Sequence, residues 1–276
     1  MPLSRILAAF LLLFISANQV FAGTTMRIVS ANGTLSEILV GLGLEKQIVG
    51  VDVTSTYPAS LEKLPKIGHN RTIAAEGIIA LNPDVIVHTN HSMLSPAVVK
   101  QLNSSGKKLV EFKHDYTKEG AVKLIRDVAA YFNVKPQAEK MVKSLETDFA
   151  KIPVSKSPKK LLFIYARGTG TLMVSGTGTS VDKMFLLAGH KNAVEGFTDF
   201  KPLTAESLVT ANPDVLVLFS SGLESLEGID GLLKVPGIAS TNAGKNKKVI
   251  TMDGQLLTGF GPRLGKAALE LSQKTR

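Results

Sequence analysis

Residues 71–87 read RTIAAEGIIALNPDVIV, and residues 201–217 read KPLTAESLVTANPDVLV. In the first stretch, Glu76 to Leu81 reads as a helix, Asn82-Pro83 as the break that ends it, and Asp84 to His88 as a strand. Val85, Ile86 and Val87 are apolar without alternation, the pattern of a parallel strand buried on both faces. The second stretch repeats the phrase 130 positions later without a gap, so that Glu76 matches Glu206, Asn82 matches Asn212 and Asp84 matches Asp214. A gapless match of this length predicts two related lobes, each with helices alternating with parallel strands.

Upstream, Arg27 to Ser30 reads as a short strand and Asn32-Gly33 as a turn. Thr34 is placed to cap the next helix, with Glu37 at the capping-box position. Leu35, Ile38, Leu39 and Leu42 then recur with helical period before Gly43 ends the helix, and Ile48 to Val51 is the next strand. Gly33-Thr34 returns more loosely as Gly178-Thr179, 145 positions on, so the first copy carries 15 extra residues, assigned to a loop from Tyr57-Pro58 to about Lys66.

Between the copies, Lys118 to Asn133 reads as one helix. Pro136 opens a second that runs to about Ile152, with Ala138, Met141, Val142, Leu145 and Phe149 as its apolar stripe. The expected organisation is a leader over 1–22, an N-terminal lobe over 23–117, a helical segment with the bridging helix over 118–157, and a C-terminal lobe over 158–276. The fold class is α/β: two similar Rossmann-like lobes joined by one long helix, with a ligand cleft between them. A stiff bridge of this kind predicts small lobe movements.

The composition agrees. With 276 residues, 44% hydrophobic and 20% charged, the chain is globular rather than disordered or fibrous. It has no Cys, which removes disulfides, thiolate metal clusters and thiol catalysis, and no Trp. The net charge of +9 comes from scattered lysines, with small runs at Lys159-Lys160 and Lys245 to Lys248. No basic stripe with interleaved aromatics appears, so nucleic acid is not an expected partner. A solvated basic surface accounts for the charge; attraction for an anionic ligand is the sharper reading. The G-x-S-x-G and H-E-x-x-H motifs are absent, and no catalytic constellation emerges, so the chain is not expected to be an enzyme.

The first residues carry Arg5, an apolar run from Ile6 to Ala17, and Val20-Phe21-Ala22. This reads as a signal peptide, too short in its apolar core to span a bilayer, with cleavage expected after Ala22. With no Cys at that site to receive a lipid, the mature chain is expected to be free in a Gram-negative periplasm.

A signal peptide, two α/β lobes and a connecting helix resemble the helical-backbone class of periplasmic binding proteins that feed ABC importers. Within that class SANGTLSEILVGLG, VGVDVTSTYP, LPKIGHNRTIAAEGIIALNPDVIV, GTGTSVDKMFLLAG, FKPLTAESLVTANPDVLVL and FGPRLGKAALEL resemble the haemin-binding members, in order, across nearly the whole mature chain. The resemblance implies capture of haem in the inter-lobe cleft and delivery to an inner-membrane ABC permease dimer, with an outer-membrane haem receptor upstream. It also implies a monomer. The alternatives are a ferric-siderophore or cobalamin binder of the same fold, or an enzyme on a two-lobed scaffold.

The resemblance also assigns residues. Where the family reads Gly-Tyr-x-Arg, with tyrosine as haem iron ligand, this chain has Gly68-His69-Asn70-Arg71, and the nearest tyrosine is Tyr57. Neutral imidazole is a competent axial ligand for haem iron, so His69 is the expected ligand, a surface loop histidine being the alternative. Arg71 then suits a propionate, because a planar guanidinium meets a carboxylate with two hydrogen bonds. His88 and His91 follow a strand end and are secondary ligand candidates. Tyr165 and Arg167 occupy the corresponding strand end of the second lobe and are candidate haem-binding residues. They precede Gly168-Thr169-Gly170-Thr171, which lacks the lysine of a phosphate loop and reads as a flexible cleft loop. Phe200 is a candidate ring-stacking residue, with core packing as its alternative, and Arg263 is expected to reach a propionate. Glu76 and Glu206, equivalent by the repeat, are expected to dock onto basic residues of the permease, or simply to favour their helix N-termini.

Overall fold

The computed structural model describes residues 26–69, 72–92, 94–170 and 172–276. The leader over 1–22, together with Asn70, Arg71 and Thr171, lies outside the described residues. Among the described residues, no helix is long and apolar enough to cross a membrane.

Two sheets carry the fold. The first lobe holds β1 (Ile28–Ser30), β2 (Ile48–Val51), β3 (Val85–Thr89) and β4 (Lys108–Phe112) in the order β2-β1-β3-β4. All of its pairings are parallel. The second lobe holds β5 (Lys160–Ala166), β6 (Leu172–Ser175), β7 (Lys191–Asn192), β8 (Phe200–Pro202), β9 (Val215–Phe219) and β10 (Val249–Met252). There β7, β5, β9 and β10 lie side by side and parallel, which repeats the strand order of the first lobe. The antiparallel strands β6 and β8 extend the upper part of β5 and have no counterpart in the first lobe.

The repeated phrase performs the same joint twice. The Ala75–Ala80 and Ala205–Ala211 helices are each followed by an Asn in the left-handed region, Asn82 at φ 44° and Asn212 at φ 40°. Asn tolerates that conformation, and the proline that follows cannot continue a helix. The next residue pins the incoming strand to the first strand of its lobe. The Asp84 carboxylate accepts from Arg27 N (2.7 Å) and that of Asp214 from Lys160 N (2.9 Å), while Asp84 N and Asp214 N each donate back at 2.8 Å to the carbonyls of Arg27 and Lys160. Both basic side chains then reach the end of the preceding helix, Arg27 at Leu81 O (2.8 Å) and Lys160 at Ala211 O (3.1 Å).

The Lys118–Tyr131 and Lys135–Phe149 helices connect the lobes. On the latter, Ala138, Val142 and Leu145 are buried, with Met141 and Phe149 packed at the margin. It lies against the Leu264–Lys274 helix, close enough that a side chain at Gly265 would meet the Leu145 carbonyl at 2.4 Å. The bridging helix is therefore built into a core that joins both lobes, running from Ile28 and Leu35 through Leu145 to Phe163 and Phe260.

One local reading is corrected. The Gly33–Gly41 helix is capped by Asn32, whose side chain accepts from Thr34 N (2.9 Å) and Leu35 N (3.2 Å). Thr34 and Glu37 form no capping box, because both side chains turn to the other lobe.

Candidate functional site

Ligands of open α/β sheets gather outside the carboxyl ends of the strands. In the first lobe β2 leads into Asp52, a fully buried carboxylate. It accepts from Thr54 N (3.2 Å), from the Thr54 hydroxyl and from Ser55 Oγ (2.6 Å). Ser55 meets Ser36, which donates to Ser30, each at 2.8 Å. Burial pushes the Asp52 carboxyl above its usual value, and the two hydroxyls pull it back. The chain returns beside this loop, since Val53 N donates to Gly68 O at 3.0 Å. Gly68 sits at φ 111°, a conformation reserved for glycine, and sets the direction in which His69 leaves. His69 is half-buried, its carbonyl accepts from Thr72 N (2.7 Å), and its imidazole lies within electrostatic reach of Asp52. Its partner in the motif, Arg71, lies outside the described residues.

The other histidines take separate positions. His88, at the end of β3, is buried, with Nδ1 3.3 Å from Thr89 O and 3.8 Å from Glu111, and burial holds its pKa below the usual value. His91 donates from Nε2 to His114 O (2.7 Å) and stacks on Tyr116 with ring centroids 4.3 Å apart. His114 was not singled out from the sequence. It is only 3% exposed, donates from Nε2 to Phe260 O (3.2 Å), and leaves Nδ1 buried without a partner. Burial drives its pKa down to about 4. Among the described residues no three His, Cys, Asp or Glu side chains form a metal-holding group.

The second lobe answers with rings. Tyr165, near the end of β5, meets Phe219 edge-on at 6.1 Å, and exposed Arg167 lies 5.7 Å from the Tyr165 ring. Phe219, at the end of β9, also contacts Phe163 at 4.9 Å. Phe200 is half-buried and turns its ring to Phe163 at 6.4 Å.

The two lips meet along a polar seam. Gln255 Oε1 accepts from Thr56 N, Thr56 Oγ1 and Tyr57 N at 3.1–3.2 Å, and its Nε2 donates to Gly33 O (2.7 Å). Thr34 Oγ1 donates to Gly259 O (2.6 Å). The expectation that Arg263 reaches a propionate meets a different geometry: its fork is committed to Glu37 through bonds of 3.0 and 2.9 Å, and its guanidinium lies 3.6 Å from the centroid of the Tyr57 ring. Glu37 is largely buried; desolvation pushes its carboxyl up and Arg263 pulls it down. No local signal marks this pair, because its members stand 226 residues apart.

Glu76 and Glu206 are exposed in the first turns of equivalent helices. Glu76 accepts from Gln101 Nε2 (2.9 Å), which holds its carboxyl below the usual range. Thr204 caps the second helix in a capping box with Ser207, whereas Ala74, its counterpart, offers no side-chain cap. A surface hollow of about 600 Å³ lies beside Glu206, lined among others by Lys160, Lys191 and Phe197. None of the seam residues lines it.

The profile of the family described as periplasmic binding protein matches residues 28–256. A periplasmic haem-binding protein of Roseiflexus sp. RS-1, solved in its apo form, superposes with a TM-score of 0.86 at 36% identity, over 91% of this chain and 97% of that one. An uncharacterised ABC transporter substrate-binding lipoprotein of Bacillus subtilis is 28% identical over 90% of this chain and 79% of its own length. A vitamin B12-binding protein of Photorhabdus laumondii is 23% identical over 96% and 93% respectively.

Proposed function

Because the chain belongs to the periplasmic binding protein family, we propose that it captures haem between its lobes outside the inner membrane and hands it to an ABC permease. The observation that carries this reading is what stands at the strand ends, an imidazole at His69 beside buried Asp52 in the first lobe and the Tyr165 and Phe219 rings in the second. An iron porphyrin needs both kinds of group, an axial donor and apolar contact. The 36% identity to the Roseiflexus protein supports the same cargo. In this reading His69 ligates the iron, Arg71 pairs with a propionate, and Tyr165, Arg167 and Phe200 contribute from the second lobe. Arg263 belongs to the seam. His88 and His91 remain secondary candidates, each already held by a partner.

Delivery rests on Glu76 and Glu206, one exposed carboxylate on each lobe at positions related by the repeat. Such a pair suits a two-fold permease with basic contacts, where opposite charge sets register and on-rate. The chain is exported by the leader over 1–22, cut after Ala22, and works as a free periplasmic monomer.

Haemin titrated into the purified protein should give a saturable Soret band that excess cyanocobalamin and a ferric hydroxamate do not displace. The second reading, a cobalamin carrier, is favoured by the vitamin B12-binding relative. Saturable cobalamin binding without a Soret response to haemin would replace the first reading with the second.

A further inference from the structure

Seven large hydrophobic side chains are exposed among the described residues, and five of them, Met26, Val154, Leu186, Val209 and Ile229, each stand alone on their own segment. Scattered exposure of that kind is ordinary. The other two, Val53 at 41% and Tyr57 at 45%, share one short loop at the carboxyl end of β2, beside His69.

That loop is held firmly. Asp52 N donates to Ser30 O (3.1 Å) and the Asp52 carboxylate gathers Thr54 and Ser55. Gln255 binds the amides of Thr56 and Tyr57, and a side chain at Gly33 would meet Thr54 O at 2.8 Å, so the loop rests directly on the helix start. Val53 itself is tied to Gly68, the residue before His69. One face of the Tyr57 ring is covered by the Arg263 guanidinium, which Glu37 fixes in turn. The loop thus presents two apolar side chains to solvent from a pinned backbone.

We propose that Val53 and the open face of Tyr57 form an apolar shelf against which the porphyrin plane of a ligand held at His69 lies. The proposal rests on the haem reading above and names the surface that would recognise the macrocycle rather than the iron. Covering such a surface removes apolar area from water, and the pre-ordered loop pays little entropy on binding.

Two ligands separate ring from metal: haemin, and protoporphyrin IX, which has the same macrocycle and no iron. Val53→Asn and Tyr57→Ala should each weaken both ligands by about tenfold, in equal proportion, and leave the haemin spectrum at saturation unchanged. His69→Ala should shift that spectrum and weaken haemin much more than protoporphyrin IX. Val53→Asn stands apart from Arg263 and Gln255, so it keeps the test sound if Tyr57→Ala disturbs the seam. Wild-type affinity of Val53→Asn for protoporphyrin IX overturns the shelf and leaves the haem reading intact, as does a wild type that takes haemin but no protoporphyrin IX. A wild type that takes neither overturns the haem reading itself.

Discussion

The first lobe and the second share a strand order and a helix–stop–strand joint, yet the polar groups gather at the strand ends of the first and the larger ring cluster at those of the second. The first sheet leads into Asn32, Asp52, His91 and His114, groups that hold hydrogen bonds or protons. The second leads into Tyr165 and Phe219 and adds the antiparallel strands β6 and β8. The conserved part of the duplication is backbone bonding and its Asn-Pro-Asp joint, which any pair of α/β lobes can reuse. The loops carry no such obligation. They diverged into a lip rich in polar groups, with Val53 and Tyr57 exposed beside them, and a lip rich in aromatic rings.

The hardest test of that division removes one group from each lip. His69→Ala should abolish nitrogen ligation of haem iron. It should cost more affinity than the roughly 10- to 100-fold lost with an outer-shell partner of a metal ligand. Tyr165→Phe should leave the spectrum alone, because its part is ring contact. Absorption spectra of the loaded variants decide; a spectral change in Tyr165→Phe with none in His69→Ala would exchange the roles of the lips.

The second test asks whether the lips are held together by the seam. Arg263→Ala leaves Glu37 buried without its partner, at a cost of roughly 3–5 kcal/mol, which thermal melts should show as a fall of about 10 °C. Burial already pushes the Glu37 carboxyl up, and loss of Arg263 pushes it further. A carboxyl raised in the folded state contributes stability while protonated and loses it as pH rises through its folded pKa. The deficit of the variant should therefore shrink as the buffer is taken from pH 7 toward 4.5. A deficit independent of pH would mean that Glu37 carries no charge in the seam.

Much of the frame was legible from residues 71–87 and 201–217, because a helix stop, a left-handed Asn and a strand entry are local events with local signatures. The seam was not. Glu37 sits at a position where a capping box is equally natural, and only the approach of Arg263 from 226 residues away decides between the two. Thr34, equally natural as a cap by sequence, does not cap the helix for the same reason: its hydroxyl is drawn to Gly259 and Asn32 takes the cap. His114 carried no motif, its burial being set by Phe260 from the other lobe. Strand β6 is inserted between β5 and Gly178 and has no counterpart in the first lobe, so the offset between the copies is not constant along the chain. His69 and Arg71 are assigned by resemblance alone, as nothing in the spacing of a loop distinguishes an iron ligand from a solvated histidine.

His114 offers a third test, of somewhat smaller size. Its pKa is pushed down to about 4 by burial, against a usual 6.5, with His91 adding to the shift and the Phe260 carbonyl and Asp115 opposing it. Between those values the unfolded chain takes a proton that the folded chain refuses, so stability falls as pH falls through that window, by roughly 3 kcal/mol at its end. Asp52 and Glu37, raised by burial, act in the opposite direction, and the comparison with a variant that keeps both carboxyls cancels their part. Melts of wild type should drop more steeply from pH 7 to 5 than those of His114→Phe. Parallel slopes would remove His114 from the account of how the lips are joined.

The smallest test exchanges a feature between the two equivalent helices that carry Glu76 and Glu206. Thr204 caps the second with its side chain, accepting from Ser207 N at 3.2 Å, and the matching residue of the first is Ala74, which caps nothing. Ala74 is exposed and already extended at φ −102° and ψ 140°, the conformation an N-cap adopts, so a threonine fits without rearrangement. Ala74→Thr should bring a hydroxyl to the Gly77 amide and raise stability by about 0.5–1 kcal/mol, and Thr204→Ala should remove a similar amount. Melting temperatures should move by about 1–4 °C in opposite directions. The pair also probes whether the first helix tolerates an uncapped start because Gln101 and Glu76 already steady it: if Ala74→Thr gains nothing while Thr204→Ala loses the full amount, the bond from Gln101 is serving as the substitute. Gln101→Ala in the Ala74→Thr background should then reveal the missing gain.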